Sequence, residues 1–203
     1  MDKKIIITVG RQIGSGGHDV AQLLADKFNC RFYYRELLNL AAKESGFSEK
    51  FFEQNDEHKG FFKSIFQMHG SFAEGAFYRN EFSQENLFKF QSDAIVKAAQ
   101  EESCVFVGRC ADYVLRDMLG RIDVFITADI EDRIERVASR KACTAAEARK
   151  IITSGESDRS SYYNYYTGKH WGHSDGYDLC VNTSRLGIEG TAEFVGAFIQ
   201  KKI

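Results

Sequence analysis

The feature that most constrains the fold is a run of buried-type residues, Ile5-Ile6-Ile7-Thr8-Val9, that feeds into the turn Gly10-Arg11-Gln12-Ile13-Gly14-Ser15-Gly16-Gly17. An unbroken apolar and β-branched run suits a strand covered on both faces. After the turn, Val20, Leu23, Leu24 and Phe28 recur at helical spacing, with Ala21 and Ala25 as small neighbours. Strand, glycine loop and helix together make a phosphate site. Glycines let backbone N–H groups turn toward an anion, and the helix N-terminus adds roughly half a positive charge. Such a site lies at the carboxyl end of the first strand of a parallel sheet. Loop composition alone also fits a tight strand-to-helix turn that binds nothing.

The remaining chain alternates strand and helix signals. Arg31 to Tyr34 reads as a short strand, Arg35 to Ser45 as a helix capped by Gly46, and Gln84 to Glu101 as a helix with Leu87, Gln91, Ala94, Ile95 and Ala98 on one side. Strands follow at Cys104–Val107, Asp123–Thr127 and Tyr177–Val181, with helices at Ala111–Met118, Glu131–Lys141 and Ile188–Lys202, the last turning Phe194, Val195 and Phe198 inward. Thr144-Ala145-Ala146-Glu147 is a capping box that starts a further helix toward Ser154 or beyond. Between Phe47 and Phe82 the periodicity fails in a phenylalanine-rich stretch, read as helices of a small lobe jointed at Gly60, Gly70 and Gly75. The pattern means an α/β fold with a mainly parallel sheet in one compact unit.

Composition excludes several classes. The 203 residues carry a formal charge of −2, which argues against a nucleic-acid partner held by a basic surface. No apolar run reaches membrane-spanning length and Met1-Asp2-Lys3-Lys4 opens no secretory signal, so neither a membrane partner nor export is expected. Five cysteines without Cys-x-x-Cys spacing fit reduced thiols in the cytoplasm. His170 and His173 flank Trp171 without a third ligand, so no metal site is expected there.

Three phosphate-binding patterns compete for the loop. The dinucleotide fingerprint G-x-G-x-x-G fails because its third glycine position is Asp19. Gly10, Gly14 and Gly16 fit the turn of short-chain dehydrogenases, and Tyr165 and Lys169 fit their Y-x-x-x-K spacing, which implies an NAD(P)-dependent oxidoreductase. Gly168 interrupts the helix that should carry that pair, and little chain follows it for a substrate pocket. The third pattern runs through nearly the whole chain outside the phenylalanine-rich stretch. Gly10 to His18, Val107-Gly108-Arg109, Phe125-Ile126-Thr127-Ala128 with the arginine helix after it, Asp158 to Tyr163, Tyr166-Thr167-Gly168, Tyr177-Asp178-Leu179 and Asn182-Thr183-Ser184 resemble, in order and spacing, the cytidylate kinase-like family.

The resemblance implies a three-layer P-loop NTPase-like domain over 1–203 with a parallel five-stranded sheet in the order 2-3-1-4-5. Its core would be 1–46 and 84–203, with a helical acceptor-binding lobe at 47–83 and a lid at about 142–176. It implies ATP and Mg2+ as cofactors, small-molecule nucleotides as partners, and phosphorylation of a nucleoside monophosphate, CMP or dCMP first. Phosphoryl transfer is mostly positioning and charge neutralisation, and guanidinium groups suit it because they fork onto phosphate oxygens and stay charged. The expected catalytic residues are Arg11, Arg109 and Arg159, and the expected nucleotide-binding residues Gly14, Ser15, Gly16, Gly17, His18, Arg133 and Arg136.

Set against a Walker loop, G-x-x-x-x-G-K-[ST], the first glycine's position is Arg11, the lysine's is Gly17 and the hydroxyl's is His18. Arg11 is expected to supply the missing positive charge, and His18 to cap the helix or touch phosphate. A nucleotide-binding sensor without catalysis is the competing expectation.

Overall fold

The computed structural model describes residues 4–34 and 84–203. The apolar run becomes β1 (Ile6–Arg11), and the glycine turn opens into α1 (Gly17–Phe28), closed by Asn29 in the left-handed conformation at φ 49°. β2 (Arg31–Tyr33) follows. After residue 83 come α2 (Gln84–Glu101), β3 (Cys104–Val107), α3 (Ala111–Val114), β4 (Arg121–Thr127), α4 (Ile130–Lys141), α5 (Ala145–Thr167), a 3-10 turn (Ser174–Gly176), β5 (Leu179–Asn182) and α6 (Thr183–Lys202). The helix expected from Arg35 to Ser45 and the lobe expected at 47–83 lie outside the described residues.

The five strands are parallel and ordered β2-β3-β1-β4-β5. β1 is central, with Ile7 opposite Val105 of β3 and Ile122 of β4. Alternate residues go to opposite faces. Ile7, Val9, Val105, Val124 and Ile126 pack with α1 and α6, while Ile6, Cys104 and Phe106 pack with α2 and α3. Both faces are dry, which is why the strands read as continuous apolar runs. Each fully buried Ile, Leu or Val contributes roughly 1.5–3 kcal/mol relative to an exposed one. All strand carboxyl ends lie at one edge of the sheet, where β1 delivers the glycine loop between its two neighbours.

Phe194, expected inward, is not, and Leu23 leaves the burial of the face it shares in sequence with Val20 and Leu24. Leu23 is 38% exposed and Phe194 is 51% exposed. α1 and α6 lie side by side on one sheet face and meet it through Val20, Ala21, Leu24 and Ala25 and through Ala192, Val195 and Ile199. One residue is a rotation of about 100° on a helix, so Leu23 and Phe194 fall at the rim beside Leu24 and Val195. α6 also begins earlier than its periodicity suggests. Asn182 caps a first turn by accepting from Ser184 N at 2.8 Å, and Gly187 then breaks the helix at φ 69°, leaving a regular helix from Ile188.

α5 is one helix of 23 residues. The capping box at its start is formed as the sequence requires, with Thr144 Oγ1 accepting from Glu147 N at 3.3 Å and Thr144 N donating to Glu147 Oε2 at 2.8 Å. Gly168, at φ 68°, ends it. All five cysteines are free thiols. Burial raises the Cys30 thiol to about 11 and the Cys104 thiol to about 12, so both stay protonated near neutral pH. Replacing Thr144 by Ala should lower the thermal midpoint by about 3 °C, whereas Thr144→Ser should keep it. A calorimetric scan of both variants checks this, and equal midpoints would remove the box from the account of α5.

Candidate active site

The loop between β1 and α1 is built so that its carbonyls are occupied from outside. Arg159 Nη1 donates to Arg11 O at 3.0 Å, Arg133 Nε to Ile13 O at 2.8 Å, Arg136 Nη1 to Gly14 O at 3.1 Å, and Thr183 Oγ1 to Ser15 O at 2.7 Å. In a planar trans peptide a carbonyl held one way turns the next N–H the opposite way. The N–H groups of Gly14 and Gly16 therefore face away from these donors, the arrangement an anion-binding loop needs. Both glycines are in the left-handed region, at φ 79° and 76°. A Cβ on Gly14 would meet the Arg133 carbonyl oxygen at 2.7 Å, and one on Gly16 would meet Ile188 Cγ1 at 2.9 Å. Gly16 is the N-cap of α1 and, having no side chain, does not cap that helix end itself, a geometry suited to phosphate.

Two residues expected to bind nucleotide instead hold the loop. Ser15 is fully buried, with its hydroxyl donating to Gln12 O at 2.9 Å and accepting from Gly17 N at 3.3 Å. Arg133 is buried, and its guanidinium is shared between Ile13 O and the Glu156 carboxylate, which also accepts from Ile13 N at 3.3 Å. Neither is among the described residues that line the two clefts below. His18 does not cap α1. It stands edge-on to Phe32 and Tyr34, with ring centroids 5.4 and 4.9 Å away, and its Nδ1 is 3.2 Å from Asp19 Oδ1. Glu156 and Thr183 carry no role in the sequence expectations, where Thr183 stands only within the Asn182-Thr183-Ser184 motif. A signal for Glu156 was its place three residues before Arg159, on the same helical face.

Two clefts open on this framework. The larger, about 300 Å³, has Gly14, Gly16, Gly17 and His18 on one side and Arg136, Arg140 and Lys141 of α4 on the other. Arg140 reaches across it to Asp19 Oδ2 at 3.4 Å. The second lies at the carboxyl ends of β1 and β3 and is walled by Gly10, Arg109, Asp112, Tyr163 and Trp171. It is narrow, with about 20 Å³ of free space, so its walls must part for anything larger than a water. Arg11 and Arg159 line both clefts and so stand at their junction.

The second cleft is strained where Arg109 enters it. Gly108, Arg109 and Cys110 all have positive φ, at 77°, 60° and 53°. Left-handed non-glycine residues cost on the order of 1–3 kcal/mol each and concentrate at functional sites. The strained turn places Arg109, only 3% exposed, against the end of β1. Beneath it Tyr163 donates to Asp112 Oδ2 at 2.6 Å and shares a hydrogen bond with the Tyr177 hydroxyl, which in turn accepts from Gly172 N at 3.4 Å.

Burial pushes the Asp112 carboxyl above the usual carboxylate range, against the opposing pull of the Tyr163 hydrogen bond. A group whose folded pKa is raised stabilises the fold below its unfolded value and loses that contribution as pH rises through the folded value. The thermal midpoint of wild type relative to Asp112→Asn should therefore fall as pH rises from about 4 to about 7. Parallel midpoint profiles for the two proteins would contradict this.

The dehydrogenase pattern is not favoured by the geometry. Gly168 closes α5 before Lys169, and Tyr165 is 57% exposed, with its hydroxyl 3.4 Å from Glu85 Oε1. Comparison with known proteins points the other way. The model of the cytidylate kinase-like family matches residues 6–185. A cytidylate kinase of Pyrococcus horikoshii is 27% identical across 97% of this chain and 88% of its own, and one of Methanocaldococcus jannaschii is 24% identical across 96% and 97%. Among solved structures, an uncharacterized protein of Eubacterium ventriosum superposes with a TM-score of 0.74 at 27% identity, covering 98% of this chain and 99% of that one. A shikimate kinase of Bacteroides thetaiotaomicron shares the fold at a TM-score of 0.54 and 12% identity, over 97% and 98% of the two chains. With the loop, the sheet order and the family match in agreement, this chain belongs to the cytidylate kinase-like family and is a nucleotide kinase.

Proposed function

We propose that this chain transfers the γ-phosphate of ATP to a nucleoside monophosphate, CMP or dCMP foremost, giving the diphosphate and ADP. The observation that carries the reading is the meeting of the two clefts at Arg11 and Arg159. A donor triphosphate lies over Gly14, Gly16 and Gly17 beside Arg136 and Arg140, with His18 at the start of α1. The acceptor's phosphate is held by Arg109 in the second cleft. An acceptor phosphate oxygen attacks the γ-phosphorus in line, the bond to the β–γ bridging oxygen breaks, and ADP leaves with that electron pair. Charge building up on the transferring group falls between the Arg11 and Arg159 guanidiniums, where stabilisation acts on the transition state. No side-chain base is required, since the second ionisation of a phosphate monoester lies near pH 6. The choice of cytidine nucleotides rests on the name of the relatives.

Magnesium is the expected companion of ATP, and the donor set tells how it is carried. Among the described residues no three His, Cys, Asp or Glu side chains cluster as a metal site. Among the described residues the donor cleft offers one carboxylate, Asp19, already engaged by Arg140 and His18. This does not fit a dedicated magnesium site, and the ion is assigned to the nucleotide's own phosphates with water as its other ligands.

The test is ADP production from MgATP with CMP, dCMP, UMP and AMP as separate acceptors and a blank without acceptor. Acceptor-dependent turnover, fastest with a cytidine nucleotide, is expected. Arg109→Ala should lower kcat/KM for the acceptor about 100-fold, the scale of a lost charge-assisted phosphate contact, while ATP affinity by titration stays within about threefold. ATP binding without turnover on any acceptor would overturn the transferase reading in favour of a nucleotide sensor.

A further inference from the structure

Relative to a Walker loop, the two ends of this loop have exchanged residues. The first glycine's position holds Arg11 and the lysine's position holds Gly17. The structure gives the exchange a steric reason. A Cβ on Gly17 would lie 2.5 Å from Arg11 Cβ, 3.2 Å from Arg11 Cγ and 3.1 Å from Ile126 Cβ. Ile126 is the residue paired with Arg11 across β1 and β4, so the last rung of the central sheet presses directly on the first residue of α1. Carbon atoms not bonded to each other do not pack at 2.5 Å, and here the obstacle is a stem next to the backbone and not the free end of a side chain.

From that rung the Arg11 side chain runs past Gly17, 5% exposed, to place its guanidinium carbon 5.7 Å from the Tyr34 ring centroid. It ends at the wall of both clefts. We infer that Arg11 is the phosphate-binding cation of this loop and that Arg11 and a lysine at position 17 are alternative occupants of one space. A Walker loop keeps a glycine at the first position, which leaves room for a lysine stem at the seventh. This loop keeps the glycine at the seventh, which leaves room for an arginine stem at the first. The cation then reaches the β- and γ-phosphates from the strand side as a planar fork able to hold two oxygens. The inference deepens the transferase reading and rests on it for the identity of the bound triphosphate.

The experiment compares wild type with Gly17→Ala, Gly17→Lys, Arg11→Gly, and the double variants Arg11→Gly/Gly17→Lys and Arg11→Ala/Gly17→Lys. Thermal midpoints without ligand read the steric part, and MgATP titration reads the charge part. Gly17→Ala and Gly17→Lys should each lose about 5 °C. Arg11→Gly should weaken MgATP binding at least about tenfold. The swap Arg11→Gly/Gly17→Lys should melt above Gly17→Lys and bind MgATP at least about fivefold tighter than Arg11→Gly. Arg11→Ala/Gly17→Lys keeps the offending Cβ and should melt no higher than Gly17→Lys.

A Gly17→Ala or Gly17→Lys protein with the wild-type midpoint, or a swap that binds MgATP no better than Arg11→Gly, overturns the inference. If Gly17→Lys does not fold, Gly17→Ala and Arg11→Gly still read the two parts separately. ADP production with CMP keeps the two claims apart. The expected order of midpoints and affinities without turnover in any protein, wild type included, supports the exchange and removes the transferase. Turnover in wild type with no recovery in the swap does the reverse.

Discussion

The geometry of the site depends on the way the phosphate loop's carbonyls are held. Arg11, Ile13, Gly14 and Ser15 give their carbonyl oxygens to Arg159, Arg133, Arg136 and Thr183, which come from α5, α4 and the β5–α6 corner. A glycine-rich loop left to itself samples many backbone conformations, and ordering it costs about 1–2 kcal/mol per residue. The charged donors offset that cost, since hydrogen bonds to ionised groups are worth more than neutral ones. They also fix which edge of each peptide faces the cleft, so the loop's readiness for an anion is set before any anion arrives.

The same contacts join parts of the chain distant in sequence. Glu156 accepts from Ile13 N and from Arg133, while Arg159, one turn further along α5, donates to Arg11 O. α5 thus grips the first part of the loop at Arg11 and Ile13, and its next turn carries Tyr162 and Tyr163 into the wall of the second cleft. Three arginines of the second cleft's wall, Arg11, Arg109 and Arg159, are buried, and the first and last of them also line the larger cleft. Guanidinium groups gathered at one place present several forks to phosphate oxygens, which suits a multivalent anion at the junction of the clefts.

Much of this is legible in the sequence. The unbroken run before Gly10 identifies a central strand because both of its faces are dry. Thr144 and Glu147 mark the start of α5 because the capping box is a local device that needs no tertiary partner. The sheet order follows from the resemblance, since periodicity alone does not rank strands. What stays hidden depends on tertiary contact. Nothing local distinguishes Arg133, which turns inward to Glu156, from Arg136 and Arg140, which line the cleft one and two turns on. Ser15 is expected to bind nucleotide as part of the glycine loop that carries the resemblance, and its hydroxyl closes the loop on Gln12 and Gly17. Leu23 and Phe194 fall outside the buried stripes because a helix that shares a sheet face with a neighbour hides a narrower stripe than its apolar residues span.

The central claim is that the two clefts hold a donor and an acceptor at once, with Arg11 and Arg159 between their phosphates. Titration with an adenosine and a cytidine joined through five phosphates tests it directly, because one molecule then spans both clefts. The account predicts binding at least about 100-fold tighter than ATP alone, the gain expected when the second site is engaged intramolecularly, and loss of that gain in Arg109→Ala. Affinity no greater than that of ATP would contradict it and leave the second cleft without an acceptor.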